Sequence, residues 1–252
     1  MKLITHGAVA GYLAIDRAYL LRYDLNKIPM FHLEPVPTSH KNSTKLRFVV
    51  DDRNNIVALV SDKYVLTQPR EIIKQLIEPF QNEIYMWKIY YGSGTVITRF
   101  IWDELLNVSG VRFKPGVLIV DSVTKAYRLK ISYAPYVRDC GNELLFPKFN
   151  FSRKHIGLIK HDLQVFIKKF KEWLFNTNLL KTEKERMEKE EIDKDSFENI
   201  IKDLDLPQKY VKGIKWCNGY TLWNLYMDLT NKLSMFNAPI QYHVRVSKLT
   251  RI

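Results

Sequence analysis

Apolar and polar positions alternate along much of the first 150 residues, a pattern typical of β-strands that bury one face. Three pairs of such segments are separated by short polar or glycine-containing turns. The pairs are 46–50 with 56–60, 84–91 with 95–102, and 117–123 with 127–133. Each pair predicts a β-hairpin, because a short turn joins antiparallel neighbours.

Helical spacing follows the first hairpin and dominates after residue 150. Thr67 is the expected N-cap of the first helix, with Pro69 and Glu71 in its first turn. The apolar face of this helix is expected to hold Ile72, Ile73, Leu76, Ile77 and Phe80. Later apolar residues recur at the same spacing at Ile156, Ile159, Leu163, Phe166, Ile167, Phe170 and Leu174.

The last third of the chain predicts one further helix and a terminal strand. Thr221 is the expected start of the helix, and Pro239 follows where it has already ended. Its buried stripe is expected to hold Leu222, Leu225, Tyr226, Leu229 and Leu233. Residues 242–246 alternate in polarity and predict a strand.

Strands followed by helices predict an α+β fold, in which an antiparallel β-sheet of hairpins carries helices on one face and the C-terminal half is mainly helical. We expect an N-terminal segment at 1–45, a hairpin-rich sheet core at 46–150 and a helical part at 151–252 with an acidic insert at 181–205. The helical part is expected to pack on the core as one domain.

Composition narrows the class of protein. The 252 residues are 46% hydrophobic and 13% aromatic, which excludes a disordered or fibrous chain. Cys140 and Cys217 have no C-x-x-C spacing and are expected to be reduced core thiols. No run of 18 apolar residues is present, and residues 7–15 lack the flanks of a signal peptide. We therefore expect a chain that is not secreted and has no membrane partner.

The charge is strongly positive, with 39 Lys and Arg against 27 Asp and Glu, a net charge of +12. Residues 1–83 contribute +2, residues 84–138 contribute +5, residues 151–175 contribute +4 and residues from 206 onward contribute +6. A surplus of this size predicts a polyanionic partner.

Residues 181–205 are the exception, with 6 basic and 10 acidic side chains. This composition is typical of a solvated helix with i,i+4 ion pairs or of a mobile linker. A nucleic-acid mimic that competes for the basic face is the alternative.

Motifs for catalysis are weak. Ser122 and Lys125 match S-x-x-K but lie in a predicted hairpin without the companion motifs. Residues 92–94 lack the continuation of a phosphate-binding loop, and His155 and His161 lack the i,i+4 spacing of paired metal ligands. Asp51 and Asp52 are ordinary turn residues. The sequence therefore predicts no catalytic residue, no metal ligand and no cofactor. It does not decide whether the protein is an enzyme.

Cations and aromatic rings are interleaved in the hairpins, a mixture typical of single-strand binding, in which Lys and Arg neutralise phosphates and rings stack on bases. The predicted binding residues are Lys88, Tyr90, Tyr91, Arg99, Arg112, Lys114, Lys125, Arg128, Lys130, Tyr133, Tyr136, Arg138, Arg153, Lys154 and His155. Arg128 and Lys130 share one side of their strand. The alternative is that these rings are core and that the cations only confer solubility.

Four separated motifs also resemble a known family. Residues 49–52 and 56–71 are similar to a hairpin followed by K-x-Y-x-x-x-Q-x-x-E and a helix. Residues 116–122 and 134–145 are similar to a strand ending in D/N-S followed by P-x-x-V-x-x-C-x-N-x-L. Residues 153–157 are similar to R-H-x-G, and residues 221–230 to T-x-W-x-L-Y-N-x-x-T. This order resembles the phage- and plasmid-like family called domain of unknown function 932. Val123 replaces an expected glycine, and Met227 and Asp228 stand where the family has Asn-Ala.

The resemblance implies an intracellular protein of a virus, a plasmid or an integrated element, and it implies no particular activity. Its recurrent residues have structural explanations: Asn142 and Cys140 in a buried turn, and Lys63 and Tyr64 at a sheet edge. Arg138 and His155 are the two residues of these motifs that we expect to hold a phosphate, because a cation beside a turn would precede the amide groups of a helix start.

These observations predict an accessory protein of a mobile element that binds single-stranded DNA non-specifically in replication, annealing or recombination, either alone or as a homo-oligomer. One alternative is an interaction protein that blocks a host defence or host factor through its acidic or C-terminal helices. A second alternative is a metal-dependent nuclease whose carboxylates and histidines converge in the fold.

Overall fold

A computed structural model describes residues 19–21, 25–37, 45–80, 84–92, 94–124, 127–154 and 159–251. Most of the segment 1–45, together with Lys125, His155 and Ile156, lies outside these residues. The described part of the chain is α+β, with antiparallel sheets and a mostly helical C-terminal region, as predicted.

Twelve short strands lie among the described residues up to Arg153. They are β1 (Tyr19–Leu21), β2 (Phe31–Pro35), β3 (Leu46–Asp51), β4 (Ile56–Ser61), β5 (Ile84–Gly92), β6 (Thr95–Trp102), β7 (Leu106–Val108), β8 (Val111–Lys114), β9 (Gly116–Ser122), β10 (Leu129–Tyr133), β11 (Tyr136–Val137) and β12 (Phe146–Arg153). They form a six-stranded sheet in the order β1-β5-β6-β9-β10-β12 and two three-stranded sheets, β2-β3-β4 and β11-β8-β7.

One α-helix lies among the strands, and the others follow them. They are α1 (Pro69–Ile77), α2 (Ile159–Leu174), α3 (Thr177–Lys189), α4 (Lys194–Asp203), α5 (Gln208–Val211), α6 (Leu222–Met235) and α7 (Ile240–Val246). Short 3-10 turns occur at Leu25–Lys27, Glu78–Phe80 and Ser247–Arg251. None of these described helices combines the length and the apolar character that a membrane crossing requires.

The three predicted hairpins are confirmed as neighbouring strands: β3 with β4, β5 with β6, and β9 with β10. The buried face of α1 is also confirmed, because Ile72, Ile73, Leu76 and Ile77 are buried. Its N-cap is Gln68 rather than Thr67. The Gln68 side chain makes no cap, because it accepts a hydrogen bond from the Phe31 amide (3.1 Å) and donates to the Phe31 carbonyl (2.7 Å).

Of two predictions about the C-terminal region, one is confirmed and the other is wrong. Thr221 begins α6 with a capping box, in which its hydroxyl accepts from the Asn224 amide (3.2 Å), and the predicted stripe is buried. The strand predicted at 242–246 is wrong, because these residues belong to α7. The buried residues His243 and Val246 are three positions apart, which is the spacing of a helix face and not the alternation of a strand.

The chain divides into two structural units, each built from separate segments. Unit 1 contains the described residues up to Phe100, with Leu118–Ile131 and Phe151–Phe170. Unit 2 contains Ile101–Val117, Ser132–Asn150 and the described residues from Lys171 onward. One crossing between the units falls after Asn150, but each unit contains residues from both sides of that position.

Unit 1 buries a cluster of Phe31, Val49, Val60, Tyr64 and Val123. The Tyr64 hydroxyl donates to the Val123 carbonyl (3.0 Å), and burial raises the pKa of this phenol. A second aromatic group joins Phe151 to Phe166 (5.0 Å between centroids), Phe166 to Phe170 (5.5 Å) and Phe170 to Phe80 (6.0 Å). These ring contacts join β12, α2 and the 3-10 turn at Glu78–Phe80 within unit 1.

Unit 2 has a core centred on α6. Phe146 contacts both Tyr133 (6.3 Å between centroids) and Tyr226 (5.9 Å). The acidic insert is helical here, in α3 and α4, and carries i,i+4 pairs such as Lys181 with Glu185 (3.9 Å). Because α3 also buries Leu180 and Met187, it is an anchored amphipathic helix rather than a linker.

Candidate nucleic-acid interface

The residues predicted to bind nucleic acid are divided between the two units. Those in unit 2 are Arg112, Lys114, Tyr133, Tyr136 and Arg138. Those described in unit 1 are Lys88, Tyr90, Tyr91, Arg99, Arg128, Lys130, Arg153 and Lys154. Lys125 and His155 lie outside the described residues, as does the side chain of Lys88.

Four of the unit 2 residues, Arg112, Lys114, Tyr136 and Arg138, lie on or directly after β8 and β11 of the small sheet, whereas Tyr133 lies on β10 of the six-stranded sheet. Tyr136 pairs with Lys114 across the two strands, and the Arg138 amide donates to the Arg112 carbonyl (3.0 Å). Arg112 also donates to both carboxylate oxygens of Asp139, with 3.1 Å from Nε to Oδ2. This hydrogen bond holds the pKa of the Asp139 carboxyl below its usual range. The charge of Arg112 is therefore largely neutralised in place.

Burial withdraws three of the predicted residues from the surface. Lys114 is 9% exposed and pairs with Asp103 (2.5 Å), Arg99 is 5% exposed, and Tyr133 is fully buried against Phe146. Burial also raises the pKa of the Tyr133 phenol. A ring without exposed surface offers no face to a base, so Tyr133 does not belong to a stacking surface in this structure. Strand alternation cannot reveal such burial when both faces of a strand are covered.

Two rings of the unit 1 set keep some exposed surface. Tyr90 and Tyr91 on β5 are half-buried, and they pair with Leu20 and Tyr19 of β1. Tyr91 contacts Phe31 (6.3 Å between centroids), and burial, helped by Asp51, raises the pKa of its phenol. These rings are part of the packing and also reach the surface.

Four of the unit 1 cations, Arg128, Lys130, Arg153 and Lys154, lie on or directly beside the neighbouring strands β10 and β12. Arg128 and Lys154 are exposed, and neither is ion-paired within the described part of the chain. Lys130 is half-buried on β10. Arg153 donates to Asp162 (2.6 Å) and lies over the ring of Phe151, with 5.7 Å from Cζ to the centroid. Arg128 and Lys154 are thus available for phosphates.

The acidic residues in the segments that carry these cations are not available to pair with them. Residues 84–100, 118–131 and 151–170 hold 10 basic and 2 acidic side chains, Asp121 and Asp162. Asp121 is fully buried, with its Oδ1 accepting from the Ser122 amide (2.9 Å). Asp162 is occupied by Arg153. These segments therefore present cations without an exposed, uncommitted carboxylate among the described residues.

Groups considered for catalysis serve the fold where they are described. The Asp51 carboxylate accepts from the amides of Arg53 (3.0 Å) and Asn55 (2.8 Å), which closes the β3–β4 turn. The Ser122 hydroxyl bonds those of Thr95 (3.0 Å) and Thr124 (2.7 Å). Among the described residues, no group of three or more His, Cys, Asp and Glu side chains is placed to hold a metal ion.

The motif residues of the later family-like segments meet inside unit 2. Asn142 donates from Nδ2 to the Met227 carbonyl (3.1 Å), and the Glu143 amide donates to the Ser234 hydroxyl (3.1 Å). These bonds attach the loop of residues 134–145 to α6, as the expectation of a buried turn at Asn142 requires. Cys140 is exposed, so the expectation of a buried thiol there is wrong, and the same holds for Cys217.

A further group of cations was missed by the sequence analysis. Lys209, Lys212 and Lys215 are exposed around α5, and Lys232 is half-buried on α6. Within the described residues none of the four is in an ion pair. The signal in the sequence was the spacing of three between the first three lysines, in a stretch without an acidic residue.

No family model, no curated protein and no solved structure matches the chain. The resemblance to the domain of unknown function 932 family therefore stays a prediction.

Proposed function

We propose that this protein is an accessory protein of a virus or plasmid that binds single-stranded DNA without sequence preference, in replication, annealing or recombination. The origin rests on the family resemblance. The binding rests on charge: residues 84–100, 118–131 and 151–170 carry 10 basic side chains, and their two carboxylates are buried or already paired.

Affinity in this proposal comes from phosphate neutralisation. In these three segments, Arg128 and Lys154 are exposed and have no ion pair among the described residues, and the half-buried Lys130 lies two residues after Arg128 on β10. Each phosphate contact releases condensed counterions from the strand, so binding weakens steeply as salt is added. Backbone contacts of this kind carry no sequence information, which accounts for non-specific binding.

Preference for unpaired bases comes from rings. Tyr90 and Tyr91 are half-buried, so each keeps part of its surface exposed to a ligand. Base stacking on an aromatic ring contributes about 1–3 kcal/mol and tolerates every base. The bases of a duplex are already stacked on one another. A duplex therefore gains the electrostatic contribution to binding but not the contribution from stacking on tyrosine rings.

The test measures binding of a fluorescently labelled oligothymidylate between about 50 and 200 mM salt. Arg128→Gln combined with Lys154→Gln is expected to reduce the slope of log affinity against log salt by about 1.4, or about 25-fold in affinity at 100 mM salt. The matched control is Lys63→Gln combined with Lys74→Gln, which removes two exposed unit 1 lysines outside these segments. The control is expected to retain most of the affinity.

Four results would contradict the proposal. Salt-independent binding would remove its electrostatic basis, and equal weakening of both variants would show that net charge, not this surface, governs binding. Cleavage of the oligonucleotide in magnesium or manganese would favour a nuclease instead. A tight complex with a host protein and no oligonucleotide binding would favour the host-factor inhibitor.

A further inference from the structure

We propose that unit 2 carries a second contact for single-stranded nucleic acid, the C-terminal lysine surface, formed by Lys209, Lys212, Lys215, Lys232 and the ring of Phe236. The inference rests on the proposed function for its ligand class, and it concerns residues outside the segments that carry that function.

The lysines converge on one turn. Lys209 lies in α5, Lys212 is the residue at which α5 ends, and the Lys212 amide donates to the Gln208 carbonyl (2.9 Å). A Cβ placed on Gly213 would stand 3.8 Å from Nζ of Lys232, so the α6 lysine reaches the same turn. Four ammonium groups gathered without a carboxylate repel one another, and a polyanion relieves that repulsion.

An exposed ring adjoins the lysines. Phe236 ends α6 one turn after Lys232, since its amide donates to the Lys232 carbonyl (3.2 Å), and it is 50% exposed. It contacts Tyr210 (6.0 Å between centroids), which in turn contacts Tyr242 (5.2 Å). The buried Tyr210 therefore supports the Phe236 ring from one side and leaves the other available for a base.

The surrounding charge fits a phosphate chain. From Leu206 to the C-terminus the sequence holds 7 basic residues and one acidic residue, Asp228. Asp228 accepts a hydrogen bond from the Tyr220 hydroxyl, and burial together with this hydrogen bond raises the pKa of that phenol. Arg245 is committed to Asp205 (2.9 Å), and Lys209 lies over the ring of Tyr210, with 4.8 Å from Nζ to the centroid. Lys212, Lys215 and Lys232 have no ion pair among the described residues.

An acidic protein segment is the competing ligand. A docked amphipathic helix needs a continuous apolar stripe, and the stripe of α6 faces the core, with Leu225, Leu229 and Leu233 fully buried. The exposed large apolar residues beside the lysines are Met235 and Phe236. One ring and one flexible side chain suit a stacked base better than a helix face.

The experiment compares Lys209→Gln/Lys212→Gln/Lys215→Gln with a control of equal charge, Lys181→Gln/Lys189→Gln/Lys194→Gln, whose lysines are exposed on α3 and α4. The probe is an oligothymidylate of about 20 nucleotides, longer than the about 4 to 16 nucleotides that one single-strand-binding module covers. The first variant is expected to lose about 2 from the salt slope and about 100-fold in affinity at 100 mM salt. A larger loss of affinity in this variant than in the control supports the C-terminal lysine surface. An equal loss, or a larger loss in the control, overturns it.

Phe236→Leu keeps an apolar contact with Tyr210 and removes the flat face, whereas Phe236→Trp keeps a flat face. We expect about 5- to 150-fold weaker binding for Phe236→Leu and restored binding for Phe236→Trp. Equal affinity of both variants overturns the stacking role. Polyglutamate that competes as well as oligothymidylate overturns the choice of ligand and favours an acidic protein partner.

Photocross-linking separates this proposal from the function on which it rests. An oligothymidylate containing 4-thiothymidine is irradiated with the unaltered chain, and cross-linked peptides are mapped. Cross-links to residues 206–216 or 232–236 support the C-terminal lysine surface. Cross-links confined to unit 1 overturn it and leave the proposed function intact, whereas no binding of the oligonucleotide overturns both.

Discussion

The hydroxyl of Tyr226 makes both backbone hydrogen bonds of Leu145: it donates to the carbonyl (2.9 Å) and accepts from the amide (2.8 Å). Tyr226 is fully buried on α6, and Leu145 ends the segment that resembles the second family motif. One side chain thus takes the place of a strand partner for a residue 81 positions away.

Tyr226→Phe is therefore expected to leave a buried amide and a buried carbonyl without partners. We expect the free energy of unfolding to fall by about 2–4 kcal/mol, measured by urea denaturation, because each unsatisfied buried group costs about 1–3 kcal/mol. Tyr242→Phe is the control, since Tyr242 is half-buried on α7 and its hydroxyl has no described hydrogen bond. Equal effects of the two changes would contradict the structural role of Tyr226.

Asn142 gives a second test at the same junction. Its Nδ2 bonds the Met227 carbonyl, and its Oδ1 is buried with no hydrogen-bond partner among the described residues. Asn142→Ala is expected to lower the free energy of unfolding by about 1–2 kcal/mol. The loss of the hydrogen bond to the Met227 carbonyl destabilises the fold and is only partly offset by removal of the unsatisfied Oδ1 acceptor. Asn142→Asp is expected to cost more at neutral pH, because it buries a charge. An Asp variant as stable as the Ala variant would contradict this.

Gly94 tests the turn between β5 and β6. Its φ is +71°, and a Cβ there would lie 2.7 Å from Cγ2 of Thr124 and 3.0 Å from Cγ2 of Val123. Gly94→Ala is expected to lower the melting temperature through both backbone strain and overlap, with the strain costing about 1–2 kcal/mol. Gly110→Ala is the matched control, because Gly110 has a φ of +79° and no heavy atom within 4 Å of the added Cβ. A melting temperature equally low in both variants would argue that overlap contributes nothing.

Asp193 predicts a pH dependence in α4. Its carboxylate is the N-cap and accepts from the Ser196 amide (2.7 Å), which lowers the pKa of this acid. Because the folded-state pKa is lowered, the stabilisation is present above the usual Asp pKa of about 3.9 and is lost as the pH falls through the lowered value. The protection factors of the first α4 amides, which correct for the slower intrinsic exchange in acid, are expected to fall on acidification.

Asp193→Asn separates the cap from its charge. The amide side chain still caps a helix, so exchange protection is expected to persist, whereas its dependence on acid pH is expected to disappear. Asp193→Ala is expected to lose protection at every pH. Unchanged acid dependence in the Asn variant would show that another group titrates there.

Sequence pattern predicted those elements that have strong local determinants. The β3–β4 hairpin has a polar turn fixed by Asp51, and α6 has a capping box at Thr221, so local chemistry and tertiary structure agree. The segment 242–246 has only five residues, which are too few to distinguish the strand period of 2 from the helix period of 3.6. The segment is helical in the structure, where it buries His243 and Val246. The two-residue and three-residue strands β11 and β7 have no comparable local pattern.

The candidate site was less predictable because exposure is a property of the fold. Tyr133 and Arg99 lie in strands and are buried, and no local pattern distinguishes them from the exposed Arg128. The ring beside the C-terminal lysine surface is Phe236, which is distant in sequence from Lys209. The turn that gathers Lys212 and Lys232 is visible only once α5 and α6 are packed.

The chain passes between the two units five times, after Phe100, Val117, Ile131, Asn150 and Phe170. No single cut of the polypeptide yields one intact unit and one intact remainder. Fragments made by proteolysis or by shortening the gene would each carry incomplete sheets, with unpaired strand edges prone to aggregate. The contributions of the two units to any ligand are thus to be dissected residue by residue in the whole chain.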